Sequence, residues 1–448
     1  MSTENDLSDM EVHGDIRVRT RRVSDANKCK SEKSVNWYKL LTVDYVLQFV
    51  CTLSWVYFFL SLALICWLIW FGILGWLVIR LPGIYSTYKA LQNQSKPSIL
   101  AQLNFYLYVF RYFTVFIVVL IYHIHWALDR RSEERGSHPR VWVRNLAVWD
   151  YMRRYFPINL VLSEEIRLQE ANSSDNQLQP QQTQKQQQQQ QQQKRQQSEL
   201  STTNGSGVIT CNPALFPPDH NYLVGYHPHG IFGVGAFTNF GTEATGFSTK
   251  FPGLTPWLTT LEINFKAPFQ RDMLQCFNIV VATYKGITYL LDPNQCGKRG
   301  NMVVVVLGGA HEALDSRPGK YVFHTKRRFG FFKLALMTGS ALVPCVSFGE
   351  PNMYRQVQNP PGGWLRRWQD RFTDMATFSP PIFYARILAP YRTPVNTVVG
   401  PPIPVPLEPK PTRDQIANLK KFYLEKLNKL FQKYKPIYDP DADDVEFF

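Results

Sequence analysis

Polar and apolar positions alternate in long blocks along the first half of the chain and in short ones along the second. Residues 1–43 are polar and mixed in charge, a composition that predicts a disordered tail. Apolar residues then run from Val43 to Ile79 with Asp44 as the one charge. A second apolar run, Phe105 to Leu128, is interrupted only by Arg111, close enough to one end for its guanidinium to reach an interface. A helix needs about 20 apolar residues to cross a bilayer core. The first run is long for one upright helix and short for two, and Gly72 and Gly75 mark a place for a kink. Soluble helices keep a polar side, so the two runs predict a membrane-embedded helical region over residues 44–128. Residues 169–206 are low in complexity, with an unbroken glutamine run from Gln186 to Gln193, and are expected to be a disordered insertion that interrupts one domain.

From Asn221 the pattern shortens. Tyr222–Tyr226, Phe277–Ala282, Met302–Leu307, Leu342–Phe348 and Thr397–Val399 have the length and content of buried strands. Phe331 to Leu336 suits a buried helix ending at Gly339. Ile416, Leu419, Tyr423, Leu427, Leu430 and Tyr434 recur at the spacing of one helix face. Strands alternating with helices predict an α/β fold with a mostly parallel sheet flanked by helices, over residues 129–448. In the segment from Trp364 to Phe372, Trp364, Leu365, Trp368 and Phe372 share a helical face with Arg366 and Arg367 toward the other, which suits either a lipid headgroup boundary or a surface helix packed on the core.

Charge and cysteine content narrow the class. The net charge of +14 implies an anionic partner, whether nucleic acid, a phosphate-bearing cofactor or an anionic lipid surface, and the apolar N-terminal third favours the lipid surface over nucleic acid. Seven cysteines without a CxxC pair predict a reduced, cytosol-facing protein. Lys and Arg crowd residues 17–39 and 130–144, on both sides of the apolar region, which predicts both ends cytosolic and a hairpin inserted from the cytosol or a re-entrant pair.

Candidate chemistry lies at the ends of the expected strands. His227-Pro228-His229-Gly230 follows the run Tyr222–Tyr226. Residues two apart in extended backbone face one side, and a neutral imidazole there can take a proton from an alcohol. A packed and a solvated loop histidine is the plainer alternative, and metal binding lacks a companion Cys or His cluster at ligand spacing. Gly308-Gly309 closes the run Val303–Leu307 and lets backbone N–H groups approach an anion, with Glu312 one turn on. Lys326, Arg327, Arg328 and Lys333 gather around the start of the next helix, a place for phosphates.

These strings together resemble the type-2 diacylglycerol acyltransferases and their monoacylglycerol and wax-ester relatives. The resemblance rests on Tyr155-Phe156-Pro157, Tyr226-His227-Pro228-His229-Gly230, Asn239-Phe240-Gly241-Thr242-Glu243-Ala244, and Gly308-Gly309 with Glu312-Ala313-Leu314. It continues through Arg328-Phe329-Gly330-Phe331, Ala341-Leu342-Val343-Pro344, Phe348-Gly349-Glu350, Val399-Gly400 and Pro402-Ile403. It implies a glycerolipid-acyltransferase-like fold and an endoplasmic-reticulum membrane enzyme that esterifies diacylglycerol from acyl-CoA, with no other cofactor and no metal. Self-association and a lipid-droplet location stay open. So do acceptors other than diacylglycerol, namely monoacylglycerol or a long-chain alcohol, and a non-catalytic membrane or droplet scaffold. The wider glycerolipid acyltransferases place an aspartate five residues after a histidine. Here Val234 follows His229 and Phe232 follows His227 at that spacing, so an orienting carboxylate has to come from Glu243 or Glu312. His229 is the preferred base, with His227 beside it. Lys326, Arg327, Arg328 and Lys333 are the expected CoA-phosphate ligands, with Gly308 and Gly309 lending backbone N–H groups.

Overall fold

A computed structural model describes residues 42–167, 209–376, 378–386 and 389–448. The Gln-rich tract and nearly all of the polar tail therefore lie outside the described residues. The chain divides at Val50. The first unit is described only from residue 42, just before helix α1 (Val43–Gln92) begins. The second unit, Cys51–Phe448, holds nearly all of the described structure.

Two long apolar helices come first. α1 is continuous through Gly72 and Gly75, where the sequence suggests a kink, and runs on to Gln92. α2 (Ile99–Leu128) starts at Ser98, whose side chain accepts from the Ala101 N–H as an N-cap. Both are long and apolar enough to cross a membrane. Trp70 and Leu77 of α1 pack against Tyr112 and Val119 of α2, while Leu100, Tyr106, Phe110, Val118 and Ile121 of α2 stay exposed. The earlier part of α1, from Cys51, leans on the rest of the second unit. The Trp55 ring lies tilted at 5.3 Å from that of Phe237, and Leu62 and Cys66 pack on Ala267.

The remainder is a mixed α/β body around one seven-stranded sheet. Its strands are β1 (Ile158–Leu162), β2 (Tyr222–His227), β3 (Thr255–Thr260), β4 (Ile279–Val281), β5 (Asn301–Val306), β7 (Ala341–Phe348) and β10 (Val395–Val399). Two-residue strands β6 (Val322–Phe323) with β11 (Glu446–Phe447), and β8 (Arg355–Gln356) with β9 (Phe383–Tyr384), form small separate pairs. The sheet order is β1-β10-β7-β2-β5-β3-β4. Every pairing is parallel except that of β10 with β7, so β10 and β1 run against the other five. The parallel-rich sheet matches the expectation, with that antiparallel edge as the addition. β1 and β2 lie in one sheet although residues 168–208 separate them in sequence.

Both faces of the sheet are buried, as parallel strands require. Tyr222, Val224, Tyr226, Met302, Val304, Val343 and Cys345 face one hydrophobic cluster, with Met152 and Tyr155 of α3 (Ala147–Tyr155). Leu223, Val303, Leu342 and Val346, the residues of opposite parity, face the other. That second face is covered by α4 (Tyr284–Leu291), α6 (Phe329–Thr338) and α8 (Arg413–Tyr438). α6 ends at Gly339, whose φ of +63° closes the helix. α8 is held by a capping box between Thr412 and Gln415 and buries Ile416, Tyr423, Leu427, Leu430 and Tyr434. Within the seven-stranded sheet, β1 and β3 are the strands that the apolar pattern does not pick out. β1 is a sheet edge with Asn159 exposed, and β3 is half threonine.

Candidate active site

The carboxyl ends of β2, β5 and β7 lie side by side, and in open α/β sheets ligands bind beyond such ends. β2 delivers His227 and the turn Pro228-His229-Gly230. β5 delivers Gly308-Gly309 and the short helix α5 (Ala310–Asp315). β7 delivers Gly349-Glu350.

The two histidines take different surroundings. His227 is the last residue of β2 and is fully buried. Its ring stacks on Phe323 at 4.9 Å, and its Nε2 lies 3.3 Å from the Tyr423 hydroxyl. His229 is part-exposed. Its Nδ1 lies 3.0 Å from the Gly230 carbonyl oxygen. A carbonyl only accepts, so this bond assigns the proton to Nδ1 and leaves the lone pair on Nε2. Burial lowers the His229 pKa, more than its bond to Gly230 and the charge of Glu312 raise it. The shared face expected for the two rings ends with the strand.

Glu312 sits beneath both. Its Oε2 accepts from the His229 N–H at 2.7 Å, and its Oε1 accepts from the His324 N–H at 2.9 Å and lies 3.8 Å from His227 Nδ1. It thus fixes the backbone on which His229 stands and does not grip either ring. The carboxylate fills the space a side chain at position 308 would need, since a Cβ on Gly308 would lie 1.7 Å from Glu312 Cδ. Gly309, at φ 61° and ψ −144°, holds a conformation open essentially to glycine alone.

The other candidate carboxylate is placed differently. Glu243 pairs with the buried Arg144 at 2.7 Å and accepts from the Ser248 N–H and hydroxyl. These bonds tie the segment Val141–Arg144 to the turn at Glu243 and the start of the helix Phe247–Lys250, and serve neither histidine. The cations do gather. Arg328 donates to the Gly308 carbonyl at 2.9 Å, while Lys326, Arg327 and Lys333 are exposed around the start of α6. Sequence reading missed Lys420 of α8, which donates to the Lys326 carbonyl at 3.0 Å and lies 4.0 Å over the Phe329 ring. The one possible metal cluster among the described residues, His125, Asp129 and Asp272, lies elsewhere, and Arg271 already neutralises it at 3.0 Å and 3.6 Å from the two carboxylates.

Two further residues belong to the site through distant contacts. Tyr423 donates to the Gly225 carbonyl at 3.2 Å, and a Cβ on Gly225 would lie 2.1 Å from its hydroxyl oxygen. Glu350 is buried against the turn. It accepts from the Gly235 N–H at 3.0 Å and the Tyr226 hydroxyl at 3.1 Å, and its Cγ lies 2.6 Å from where a Cβ on Gly230 would stand. Burial lifts its carboxyl from 4.5 to about 7, against the bonds it accepts. Below pH 4.5 the group is protonated whether the chain is folded or not. Between there and about 7 only the folded chain holds the proton, so stability falls as pH rises through that window, by an amount on the order of 3 kcal/mol. Glu350→Gln keeps the shape and removes the titration. The unfolding midpoint of the variant is expected to lose less between pH 5 and pH 8 than that of the wild type, and parallel profiles would refute this role.

Comparison with known proteins bears on the same residues. A family model described as diacylglycerol acyltransferase matches residues 106–173 and 182–447. The chain is 34% identical over 349 residues to 2-acylglycerol O-acyltransferase 1 of Bos taurus, covering 74% of this chain and 88% of that relative. It is 35% identical over 348 residues to diacylglycerol O-acyltransferase 2 of Danio rerio, covering 76% and 82%. Against diacylglycerol O-acyltransferase 2 of Homo sapiens it is 37% identical over 339 residues, 74% of each chain. A solved 1-acyl-sn-glycerophosphate acyltransferase of Thermotoga maritima overlaps 71% of this chain and 95% of its own at 12% identity, with a TM-score of 0.30. A match through the whole sheet and its three converging strand ends, at this level of identity, leaves one conclusion: the chain belongs to the diacylglycerol acyltransferase family.

Proposed function

We propose that the protein transfers a fatty acyl group from acyl-CoA to the free hydroxyl of diacylglycerol, giving triacylglycerol and CoA. The observation that carries this reading is the Nδ1 bond of His229 to the Gly230 carbonyl, which leaves Nε2 free to accept a proton at the mouth of the site. As the acceptor oxygen attacks the thioester carbon, Nε2 takes the hydroxyl proton. The C–O bond forms, the C–S bond breaks, and the departing thiolate recovers that proton from the imidazolium. Thiolate is an adequate leaving group, so no acyl-enzyme, metal or nucleotide is needed. Backbone N–H groups near Gly230 or Gly308-Gly309 hold the developing oxyanion, Glu312 holds His229 in place, and His227 supports the turn from behind.

The exposed cations around α6 are read as the seat of the CoA phosphates, set beside the glycine turn by Arg328. Replacing Arg327 and Arg328 together with alanine is expected to raise KM for acyl-CoA on the order of tenfold, or about 1.4 kcal/mol, and to leave KM for diacylglycerol nearly unchanged. Equal effects on both substrates would remove the phosphates from this cluster.

The same reading takes α1 and α2 as a hairpin anchoring residues 129–448, with the 169–206 insertion, on the cytosolic side of the endoplasmic-reticulum membrane. Both ends of the chain are then cytosolic, and protease added outside sealed microsomes removes a tag from either. Monoacylglycerol and long-chain alcohols remain competing acceptors, and relatives named for 2-acylglycerol and for diacylglycerol match this chain at similar identity. Membranes carrying the protein, given labelled acyl-CoA with all three acceptors together, are expected to form mainly triacylglycerol. Mainly diacylglycerol or wax ester would reassign the acceptor, and no ester above background would favour a scaffold role.

A further inference from the structure

Helix α7 (Trp364–Ala376) is built inside out. An ordinary surface helix turns its apolar stripe toward the core. α7 turns polar groups inward. Gln369 and Thr373 are its buried residues, and Gln369 accepts from Asn359 at 2.7 Å and donates to the Pro380 carbonyl at 3.0 Å. Arg366 points the same way and binds Asp315 and, at 2.9 Å, Asp370. Trp364, Trp368 and Met375 face outward, exposed by 78%, 50% and 85%. Exposed Arg367 and Arg371 fall between them on the helix surface, so of the sequence pair Arg366 turns inward and Arg367 stays exposed.

We propose that this outward face of α7 seats on a lipid surface as a second contact beyond the hairpin. Outward tryptophans interleaved with arginines fit a headgroup boundary, where rings enter the acyl border and guanidiniums meet lipid phosphates. The charge is complementary, since Arg367 and Arg371 outnumber Asp374 among the exposed charges of this face. The location fits as well. Asp315, which Arg366 binds, also accepts from His324 Nε2 at 2.7 Å, and the His324 N–H donates to Glu312. Seating α7 therefore brings the bilayer next to the loop that supports His229. A diacylglycerol that never leaves the membrane then has a short path to the base.

The inference rests on the reading that the acceptor is a diacylglycerol held in a membrane, and one experiment separates the α7 contact from the embedding of the hairpin. A photoreactive p-benzoylphenylalanine is placed in the full chain at position 368, at 375, or at 117 in α2, and the protein is reconstituted into vesicles of phosphatidylcholine and phosphatidylserine with alkyne-tagged acyl chains. Irradiation is expected to yield tagged lipid adducts at all three positions. An adduct at 117 with none at 368 or 375 overturns the α7 contact and keeps the hairpin. Adducts at 368 or 375 with none at 117 keep α7 on the lipid and overturn the hairpin. No adduct anywhere overturns both. A chain-to-chain crosslink at 368 or 375 in place of lipid makes the face a self-association surface and overturns the proposal. In parallel, the Trp364→Ser, Trp368→Ser double variant is expected to need about tenfold more diacylglycerol in the vesicle for half-maximal rate, at unchanged KM for acyl-CoA. An unchanged diacylglycerol dependence would count against the contact.

Discussion

Replacing His229 with alanine is expected to lower kcat by roughly 10²–10⁴-fold, the contribution of a positioned general base, with protein level and membrane association unchanged. The ring's hydrogen bond goes to the carbonyl of the next residue, so its loss leaves little of the fold unsupported. His227→Ala is expected to lose activity for another reason. It empties a fully buried site between Phe323 and Tyr423, so the thermal midpoint falls together with the rate. The pH profile carries a second check. Because burial lowers the pKa of His229, the base stays neutral below the ordinary imidazole value of 6.5, and the acidic limb of kcat/KM lies under that value. Rate is lost as pH falls through that limb, the direction required of a group that acts unprotonated. Near-normal turnover by His229→Ala would remove it from the chemistry.

The second large effect is expected at Glu312. Glu312→Ala strips the acceptor from the N–H groups of His229 and His324 at once. The two donors are part-buried, so leaving them without partners costs at most about 2–6 kcal/mol, and a shift of the His229 backbone by about 1 Å costs on the order of 10² in rate. The variant should therefore show both a lowered unfolding midpoint and a lowered kcat per folded molecule. Glu312→Gln keeps one carbonyl oxygen and is expected to fall between the two. If Glu312→Ala folded as well as the wild type and turned over at its rate, the strut would have no function.

Much of the fold and site is legible in the chain because it is local. Runs of β-branched and aromatic residues mark five strands, and the histidines, the glycine pair and the cations sit within a few residues of those strand ends. What escapes reading depends on distance. Glu350 reaches Tyr226 across 124 residues, and Tyr423 reaches His227 across 196. Nothing in the spacing of either stretch announces the partner. Glu243 shows the converse. Its motif is local and plain, but its geometry serves Arg144. β3 stays hidden because three of its six residues are threonine, and the orientation of α7 because only packing reveals which side of an amphipathic helix is turned in.

The sheet's antiparallel edge bears on how the chain comes together during synthesis. β1 is the first of the described strands to be made, and its neighbour in the sheet is β10, with Asn159 bonded to Asn396 across 237 residues. The other neighbour of β10 is β7, which is flanked by β2 on its far side. The five parallel strands can therefore associate while β1 waits, tethered next to the apolar helices, and until β10 emerges β7 presents a bare row of backbone donors and acceptors to the surrounding solution. Long-range closure of this kind is slow and exposes intermediates to aggregation. A nascent chain stalled between residues 348 and 395 would carry the His-Pro-His-Gly turn, the glycine pair and the cations of 326–333, and still have an open flank for chaperones or degradation machinery to recognise.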